Sequence, residues 1–139
     1  MTIDEIQNEI IDEFSEFEDW MDRYSLIIEY GNGLAPFPVE QRTEQNRIDG
    51  CQSQVWFTAE EKNGIIYYQG DSDAILVKGM VALLIKVLSG HSAQEIVEAQ
   101  LYFIDAIQLR EHLSPTRSNG LVAMVKQMRA YALAFSMKA

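Results

Sequence analysis

The first twenty-four residues carry apolar side chains at spacings of three and four, the spacing of one face of an α-helix. Those apolar positions are Ile3, Ile6, Ile10, Phe14, Phe17, Met21 and Tyr24. Thr2 and Glu5 fit a capping box, in which two side chains satisfy free backbone N–H groups at a helix start. The pattern therefore predicts an amphipathic helix. A second helical stretch from Tyr24 to Tyr30 follows, and it stops at the sequence Gly31-Asn32-Gly33.

The middle of the chain changes to β-branched and aromatic runs, which favour strands. Residues 55–58 and 65–68 are two such runs, and Asn63-Gly64 lies between them as a favoured hairpin turn. Arg47-Ile48 is predicted as a short edge strand. The run from Ile75 to Leu88 is apolar nearly all round, which predicts a helix buried at the centre of the fold. The polar residues 70–73 before it offer side chains that can cap this helix.

Three further helices are predicted after the central one. The first runs from Ser92 to Gln100 with Ser92 and Glu95 as a second capping box, and the next runs from Phe103 to Leu113. Residues 113–120 form a turn that leads into the last helix. Helices around a small three-stranded antiparallel sheet indicate an α+β fold rather than alternating β and α units. A length of 139 residues indicates one domain, residues 1–139, with a single core.

Composition and charge exclude several classes of function. The chain is 47% hydrophobic, too apolar for a disordered protein, and its net charge is −10. An acidic protein repels a polyphosphate, so nucleic-acid binding is disfavoured. The N-terminus lacks the basic and apolar regions of a signal peptide, and the longest apolar run, Met80 to Ile85, is far too short for a membrane span. We therefore expect a cytoplasmic protein without a membrane partner.

The negative charge is concentrated at the start of the chain. Residues 1–24 contain nine acidic residues and one base, Arg23, which gives −8 of the total −10. An acidic helix face of this kind is typical of a solvated surface. The alternative interpretation is a docking surface for a basic partner.

Cys51 is the chain's single cysteine, which excludes an intramolecular disulfide and a cysteine-based zinc site. Free cysteines are usually buried as small hydrophobic residues. Cys51 instead lies in the polar sequence Asp49-Gly50-Cys51-Gln52-Ser53-Gln54 between two strand-like runs. Gly50 permits a tight turn that presents the thiol at a loop tip. The context therefore favours a nucleophile or a sulfur carrier.

Two other kinds of site are disfavoured by the sequence. His91 is predicted to be a solvated turn residue and His112 to end a helix, and neither has an evident orienting partner, so a Cys–His hydrolase is disfavoured. Asp71 and Asp73 lack the rest of a calcium loop, so the sequence favours helix-capping roles for them.

Arg117 is the second candidate for a functional residue. It lies at the start of the last helix, where free N–H groups and the helix dipole attract anions. If it lies near Cys51, its charge favours a thiolate or persulfide anion. The other interpretation is a surface arginine or the partner of a carboxylate.

Three segments in order along the chain resemble the SufE family of cysteine desulfuration proteins. They are Gly50-Cys51-Gln52-Ser53-Gln54-Val55-Trp56, then Gly70-Asp71-Ser72-Asp73-Ala74 with Val77-Lys78-Gly79, then Leu113-Ser114-Pro115-Thr116-Arg117-Ser118-Asn119-Gly120-Leu121. The similarity extends from about Glu18 to Tyr131. It implies a small antiparallel sheet with helices packed on it, a fold shared with iron–sulfur scaffold proteins of the IscU type.

The resemblance also implies a role and its residues. Proteins of this family accept sulfane sulfur from a pyridoxal-phosphate cysteine desulfurase, SufS, and pass it to the SufBCD scaffold for iron–sulfur cluster assembly. Cys51 falls on the acceptor cysteine, and Asp73 and Arg117 fall on charged positions that support the acceptor loop. The family implies a covalent sulfur-transfer partner and activator of the desulfurase, not a stand-alone enzyme, with no cofactor and no metal of its own.

Three alternatives remain open at this point. One is a CsdE-type acceptor that serves another desulfurase. Another is an interaction module with an inert cysteine. The third is a scaffold that assembles a cluster itself, which normally takes several cysteine ligands, so a single cysteine argues against it.

Overall fold

The computed structural model describes residues 1–137, in which helices pack against a small sheet. The elements are α1 (Ile3–Ser15), α2 (Trp20–Asn32), β1 (Val55–Lys62), β2 (Ile65–Ser72), α3 (Ile75–Leu88), β3 (His91–Ser92), α4 (Ala93–Glu98), α5 (Phe103–Ala106) and α6 (Pro115–Ser136). Short 3-10 turns lie at Val39–Gln41 and Arg110–His112. The three strands are antiparallel in the order β1-β2-β3, so the predicted α+β class is confirmed.

The N-terminal helices are two shorter helices rather than one long one. The capping box of Thr2 and Glu5 is confirmed at the start of α1. The predicted continuation to Tyr24 is wrong, because α1 ends at Ser15 and α2 begins after Asp19, whose carboxylate accepts a hydrogen bond from Met21 N. A cap of this kind satisfies a free backbone N–H group at the start of a helix. The end of α2 at Asn32 lies within the predicted stop.

The predicted hairpin is confirmed, and its second strand is longer than expected. Asn63 and Gly64 have φ values of 53° and 81°, the pair of positive angles that a type I′ turn requires. The register pairs Lys62 with Ile65 at the turn and Val55 with Ser72 at the far end. Residues 70–72, for which the sequence suggested a helix-capping role, therefore belong to β2.

The third strand is not the one that the sequence predicted. Arg47 forms one isolated bridge with Trp56, whereas β3 is formed by His91–Ser92 against the start of β2. His91 was predicted to be a solvated turn residue, and this is wrong, since it is buried and its Nε2 lies 3.1 Å from the Met1 carbonyl oxygen. Gly90, with φ of +84°, turns the chain from α3 into β3.

The central helix α3 has the predicted bounds, and glycines bring it close to its neighbours. A Cβ on Gly79 would lie 2.2 Å from the Ile27 carbonyl oxygen in α2, and one on Gly31 would lie 2.9 Å from Gly79 N. On the sheet side, a Cβ on Gly70 would lie 2.8 Å from Val81 Cγ1. The glycines therefore allow α3 to pack closely against the backbone of α2 on one side and against β2 on the other.

The C-terminal part departs from the predicted helices at their ends. The capping box of Ser92 and Glu95 is confirmed, although α4 ends at Glu98. The predicted helix from Phe103 to Leu113 is wrong beyond Ala106, because Gln108 takes a left-handed φ of 63° that ends helical pairing. The last helix, α6, begins at Pro115 with Ser114 as its cap, inside the predicted turn. Among residues 1–137, no helix combines the length and apolar character that a membrane crossing requires.

The close approach of α2 and α3 predicts a large cost for a single methyl group. We expect Gly79→Ala to lower the free energy of unfolding by about 2–3 kcal/mol, since the backbone of α2 has to move aside. The control is Gly33→Ala, where the added Cβ would lie 3.5 Å from the Tyr30 carbonyl oxygen at a φ of −86°. Urea unfolding of both variants is the measurement. Equal stabilities would contradict this account of the packing.

Candidate functional site

Cys51 lies on a loop whose two flanking segments are joined to each other by backbone hydrogen bonds. We refer to residues 49–54 as the Cys51 loop. Ile48 N donates to the Val55 carbonyl oxygen at 2.8 Å, and Phe57 N donates to the Asn46 carbonyl oxygen at 3.0 Å. Gly50 has a φ of +89°, which lets the chain reverse just before the cysteine. The sequence prediction of a glycine-turned loop that carries the thiol is consistent with this geometry.

The C-terminal end of the Cys51 loop is tied to the end of β2. Gln54 N donates to Asp73 Oδ1 at 3.0 Å, and Asp73 N donates to the Gln54 carbonyl oxygen at 3.2 Å. Ser72 Oγ donates to the same carbonyl oxygen at 2.8 Å. The sequence favoured Asp73 as a cap of α3, and this is wrong. The Asp73 carboxylate instead accepts a hydrogen bond from Gln54 N in the loop. These hydrogen bonds limit the movement of the loop at Gln54.

The thiol itself rests against α6. Cys51 Sγ lies 3.6 Å from the Gly120 carbonyl oxygen, within reach of a weak S–H hydrogen bond. A Cβ on Gly120 would lie 3.5 Å from the same sulfur, and one on Gly50 would lie 3.5 Å from Ala123 Cβ. These are ordinary van der Waals distances, so the loop packs directly on this face of α6 and the thiol is half-buried.

A cavity of about 270 Å³ opens beside the thiol. It is lined by Cys51, Gln52, Ser53, Val77, Met80, Thr116, Arg117, Gly120 and Met124. The structure thus brings Arg117 and Cys51 to one cavity, a proximity that the sequence could not establish. Arg117 lies in the first turn of α6, where its backbone N–H donates to Ser114 Oγ at 3.3 Å. Within residues 1–137, no carboxylate lies within ion-pair distance of its guanidinium.

Burial and one nearby cation act on the Cys51 thiol in opposite directions. Loss of solvent raises the pKa of the thiol, and the positive charge of Arg47 lowers that pKa in part. The net shift is upward, so the resting thiol is held in its neutral form. The sequence analysis missed Arg47 as a charge near the thiol, because nothing in its local pattern distinguishes it from another strand residue.

A buried carboxylate, that of Asp71, lies two residues before Asp73. Asp71 is 5% exposed, and its carboxylate contacts Arg42 Nη2 at 2.5 Å and Lys78 Nζ at 3.6 Å. The Arg42 guanidinium also lies over the Trp56 ring, 5.5 Å from its centroid. The capping role favoured for Asp71 is therefore wrong. Its carboxylate instead joins the segment before the loop, the end of β2 and α3.

The two histidines lie apart from the thiol. Neither His91 nor His112 lines the Cys51 cavity. His112, predicted at a helix end, lies in a 3-10 turn and stacks on Trp20 with ring centroids 3.9 Å apart. Within residues 1–137, no group of three or more His, Cys, Asp or Glu side chains is placed to hold a metal ion.

Comparison with known proteins identifies the class to which this fold and site belong. The model of the SufE family, described as an Fe–S metabolism associated domain, matches residues 8–132. A SufE-like protein of Synechocystis is 43% identical over 128 residues, which cover 92% of this chain and 80% of the relative. A SufE-like protein of Rhizobium etli is 42% identical over 130 residues, which cover 90% of this chain and 88% of the relative.

The chain therefore belongs to the SufE family, as the three sequence motifs indicated, and its role lies in iron–sulfur metabolism. A solved structure of a hypothetical protein from Thermus thermophilus shares its fold, with a TM-score of 0.76 at 23% identity. That likeness covers 93% of this chain and 94% of the other.

The charges around the thiol predict a specific pH profile for its alkylation. We expect the midpoint for Cys51 in the folded protein to lie above that of the same thiol in the urea-unfolded chain, because burial raises its pKa. Removal of the Arg47 charge in Arg47→Gln should raise the midpoint further, and by more than Arg117→Gln does. The measurement is the rate of reaction with iodoacetamide against pH, with Lys62→Gln on the distant hairpin as control. A folded midpoint at or below the unfolded one would contradict this account.

Proposed function

We propose that Cys51 is a persulfide acceptor, which takes sulfur from a pyridoxal-phosphate cysteine desulfurase of the SufS type. The observation that carries the proposal is the position of the chain's single thiol. It lies on a loop that is pinned at both ends and half-buried beside a cavity, in a member of the SufE family. A sulfur carrier needs a thiol that is protected at rest and accessible when its donor arrives.

The transfer step needs no cofactor on the acceptor chain. The Cys51 thiolate attacks the terminal sulfur of the donor's persulfide, a sulfur–sulfur bond forms on Cys51, and the bond on the donor cysteine breaks. The bonding electron pair leaves with the donor cysteine as a thiolate, so no net oxidation occurs. The proton released from Cys51 balances the proton that the donor thiolate takes up. The donor cysteine loses its persulfide and Cys51 gains one, so the number of persulfides is unchanged.

The raised pKa of the resting thiol fits a carrier that is inactive until it moves. The thiolate is the nucleophile in this exchange, so a neutral, half-buried thiol reacts slowly. Movement of the Cys51 loop into a partner's site removes the contact with Gly120 and changes the surroundings that raise the pKa. Gly50 supplies the hinge on one side, and release of the Gln54–Asp73 hydrogen bonds would free the other.

Arg117 and Asp73 take supporting roles in this proposal. The Arg117 guanidinium lines the cavity next to the thiol without a carboxylate partner among the described residues. It is therefore available to pair with a persulfide anion once Cys51 is loaded. Asp73 keeps the loop in its resting position through Gln54. In this account neither residue transfers sulfur.

The second half of the proposal is delivery of the sulfur. We propose that loaded Cys51 passes its terminal sulfur to a SufBCD-type scaffold for iron–sulfur cluster assembly, by the same exchange with roles reversed. The protein then acts as a carrier and an activator, because removal of sulfur from the desulfurase frees that enzyme for its next turnover. It performs no catalytic cycle of its own.

Intact mass measurement tests the acceptor role. After incubation with a SufS-type desulfurase and L-cysteine, we expect the chain to gain the mass of one sulfur atom, and a reductant should remove it. Cys51→Ser should fold as the wild type, gain no sulfur and fail to stimulate alanine production by the desulfurase. Because the chain has one cysteine, an added sulfur on the wild type is assigned without peptide mapping. A serine variant that stimulates the desulfurase as well as the wild type would refute the proposal.

A further inference from the structure

The C-terminal part of the chain carries a charge opposite to that of the whole molecule. From residue 112 onward the sequence contains four basic residues and no acidic residue, although the net charge of the chain is −10. Three of the four, Arg117, Lys126 and Arg129, belong to α6. The surface of this helix is therefore a positively charged region on an acidic protein, opposite in sign to residues 1–24.

A groove with an apolar floor follows one side of α6. It has a volume of about 430 Å³ and lies between α6 and the segment that contains α5. Its floor is formed by Leu101, Ile104, Leu121 and Val125. Val122 on the same side is 52% exposed, which is high for a valine in a helix that contributes to the core. We refer to this feature as the α6 groove.

The cations of the α6 groove have few partners within the chain. Arg110 is paired with Asp105 at 3.8 Å, and both side chains are largely exposed, which makes the pair weak. Neither Lys126 nor Arg129 has a carboxylate within ion-pair distance among residues 1–137.

Arg129 also carries a donor that the chain leaves unused. Its Nη2 donates to the Ala99 carbonyl oxygen at 2.5 Å, while its Nε is buried without a partner in the described part of the chain. A buried donor without an acceptor is costly. Arg129 is thus held at the groove by Ala99, and its charge has no carboxylate partner among residues 1–137.

We propose that the α6 groove is a docking surface for a segment of another protein that carries carboxylates beside aliphatic side chains. The aliphatic side chains would cover the apolar floor, and the carboxylates would pair with Lys126, Arg129 and Arg110. Charge complementarity of this kind sets partner choice and association rate. The proposal does not depend on sulfur chemistry at Cys51.

The α6 groove lies on the same helix that supports the Cys51 loop. Gly120 and Ala123 of α6 support the Cys51 loop, while Leu121, Val122 and Val125 of the same turns border the groove. A partner segment seated in the groove would therefore lie against the helix that carries the resting thiol. It would leave the Cys51 cavity itself unobstructed.

The test uses the full chain, isotopically labelled for NMR, and short synthetic peptides as probes. The main probe alternates leucine and glutamate, and three matched peptides replace glutamate with glutamine, glutamate with lysine, or leucine with glutamine. We expect saturable shifts of the backbone amides of Leu101, Ile104 and residues 121–129 with the leucine–glutamate peptide alone. The lysine peptide should give none.

Two charge-reversal variants give the matched comparison. Lys126→Glu should weaken binding of the leucine–glutamate peptide by about tenfold, because a favourable ionic contact becomes a repulsive one. Lys62→Glu makes the same change on the exposed end of the hairpin, and binding should stay within about twofold of the wild type because that site is distant. Thermal unfolding of both variants checks that each is folded.

Several outcomes would overturn the proposal. Absence of saturable binding, equal binding of the glutamine peptide, or an unchanged affinity in Lys126→Glu would each refute an acidic and aliphatic occupant. Shifts of the groove amides that depend on protein concentration without peptide would assign the groove to a second copy of this chain. If Lys62→Glu weakened peptide binding as much as Lys126→Glu, binding would depend on the net charge of the protein and not on the groove, which would also refute the proposal.

Discussion

The reciprocal hydrogen bonds between Gln54 and Asp73 are the contact on which the position of the thiol depends. They join the end of the Cys51 loop to the end of β2, and Ser72 Oγ strengthens the same connection. The end of β2 is in turn fixed by the close packing of Gly70 against α3 and by the two cations around Asp71. The core therefore determines where the loop leaves the sheet, while its tip, at Cys51, is held by weaker contacts with α6.

The difference in strength between these two sets of contacts separates a firmly held frame from a weakly held loop tip. The thiol is bound by one long S–H contact and by van der Waals packing of small residues, each of which is worth little. The same burial raises the pKa of the thiol and so keeps it neutral at rest. Protection and low reactivity thus have one physical origin, which disappears when the loop leaves α6. A deeply buried cysteine or a fully solvated one would lack this property.

The parts of the fold that the sequence predicted are those set by local interactions. Both capping boxes, the Asn63-Gly64 hairpin and the apolar helix Ile75–Leu88 depend on residues within a few positions of each other. The errors came where contacts distant in sequence decide the outcome. The pairing of His91 with Ile66 across the sheet is one example. The break before α2 combines a local cap at Asp19 with a distant contact, since Arg23 donates to the Ile107 carbonyl oxygen.

The candidate site shows the same division. The motif around Cys51 was visible in the sequence, as was the start of α6 at Arg117. Their meeting at one cavity and the contact of the buried Asp71 with Arg42 depend on chain segments that are far apart. The charge of Arg47 is close to Cys51 in sequence, but only the fold of the loop shows that it acts on the thiol. No local pattern marks these residues, so the structure was needed to find them.

Single-turnover transfer is the most direct test that Cys51 carries sulfur rather than only stimulating a partner. A SufS-type desulfurase is loaded with one labelled persulfide, freed of L-cysteine and mixed with an equal amount of this protein in the absence of reductant. The account predicts that label leaves the desulfurase at the rate at which it appears on Cys51, and that the desulfurase stays loaded when the Cys51→Ser variant is used. Loss of label from the desulfurase as free sulfide, with none on Cys51 at any time, would contradict it.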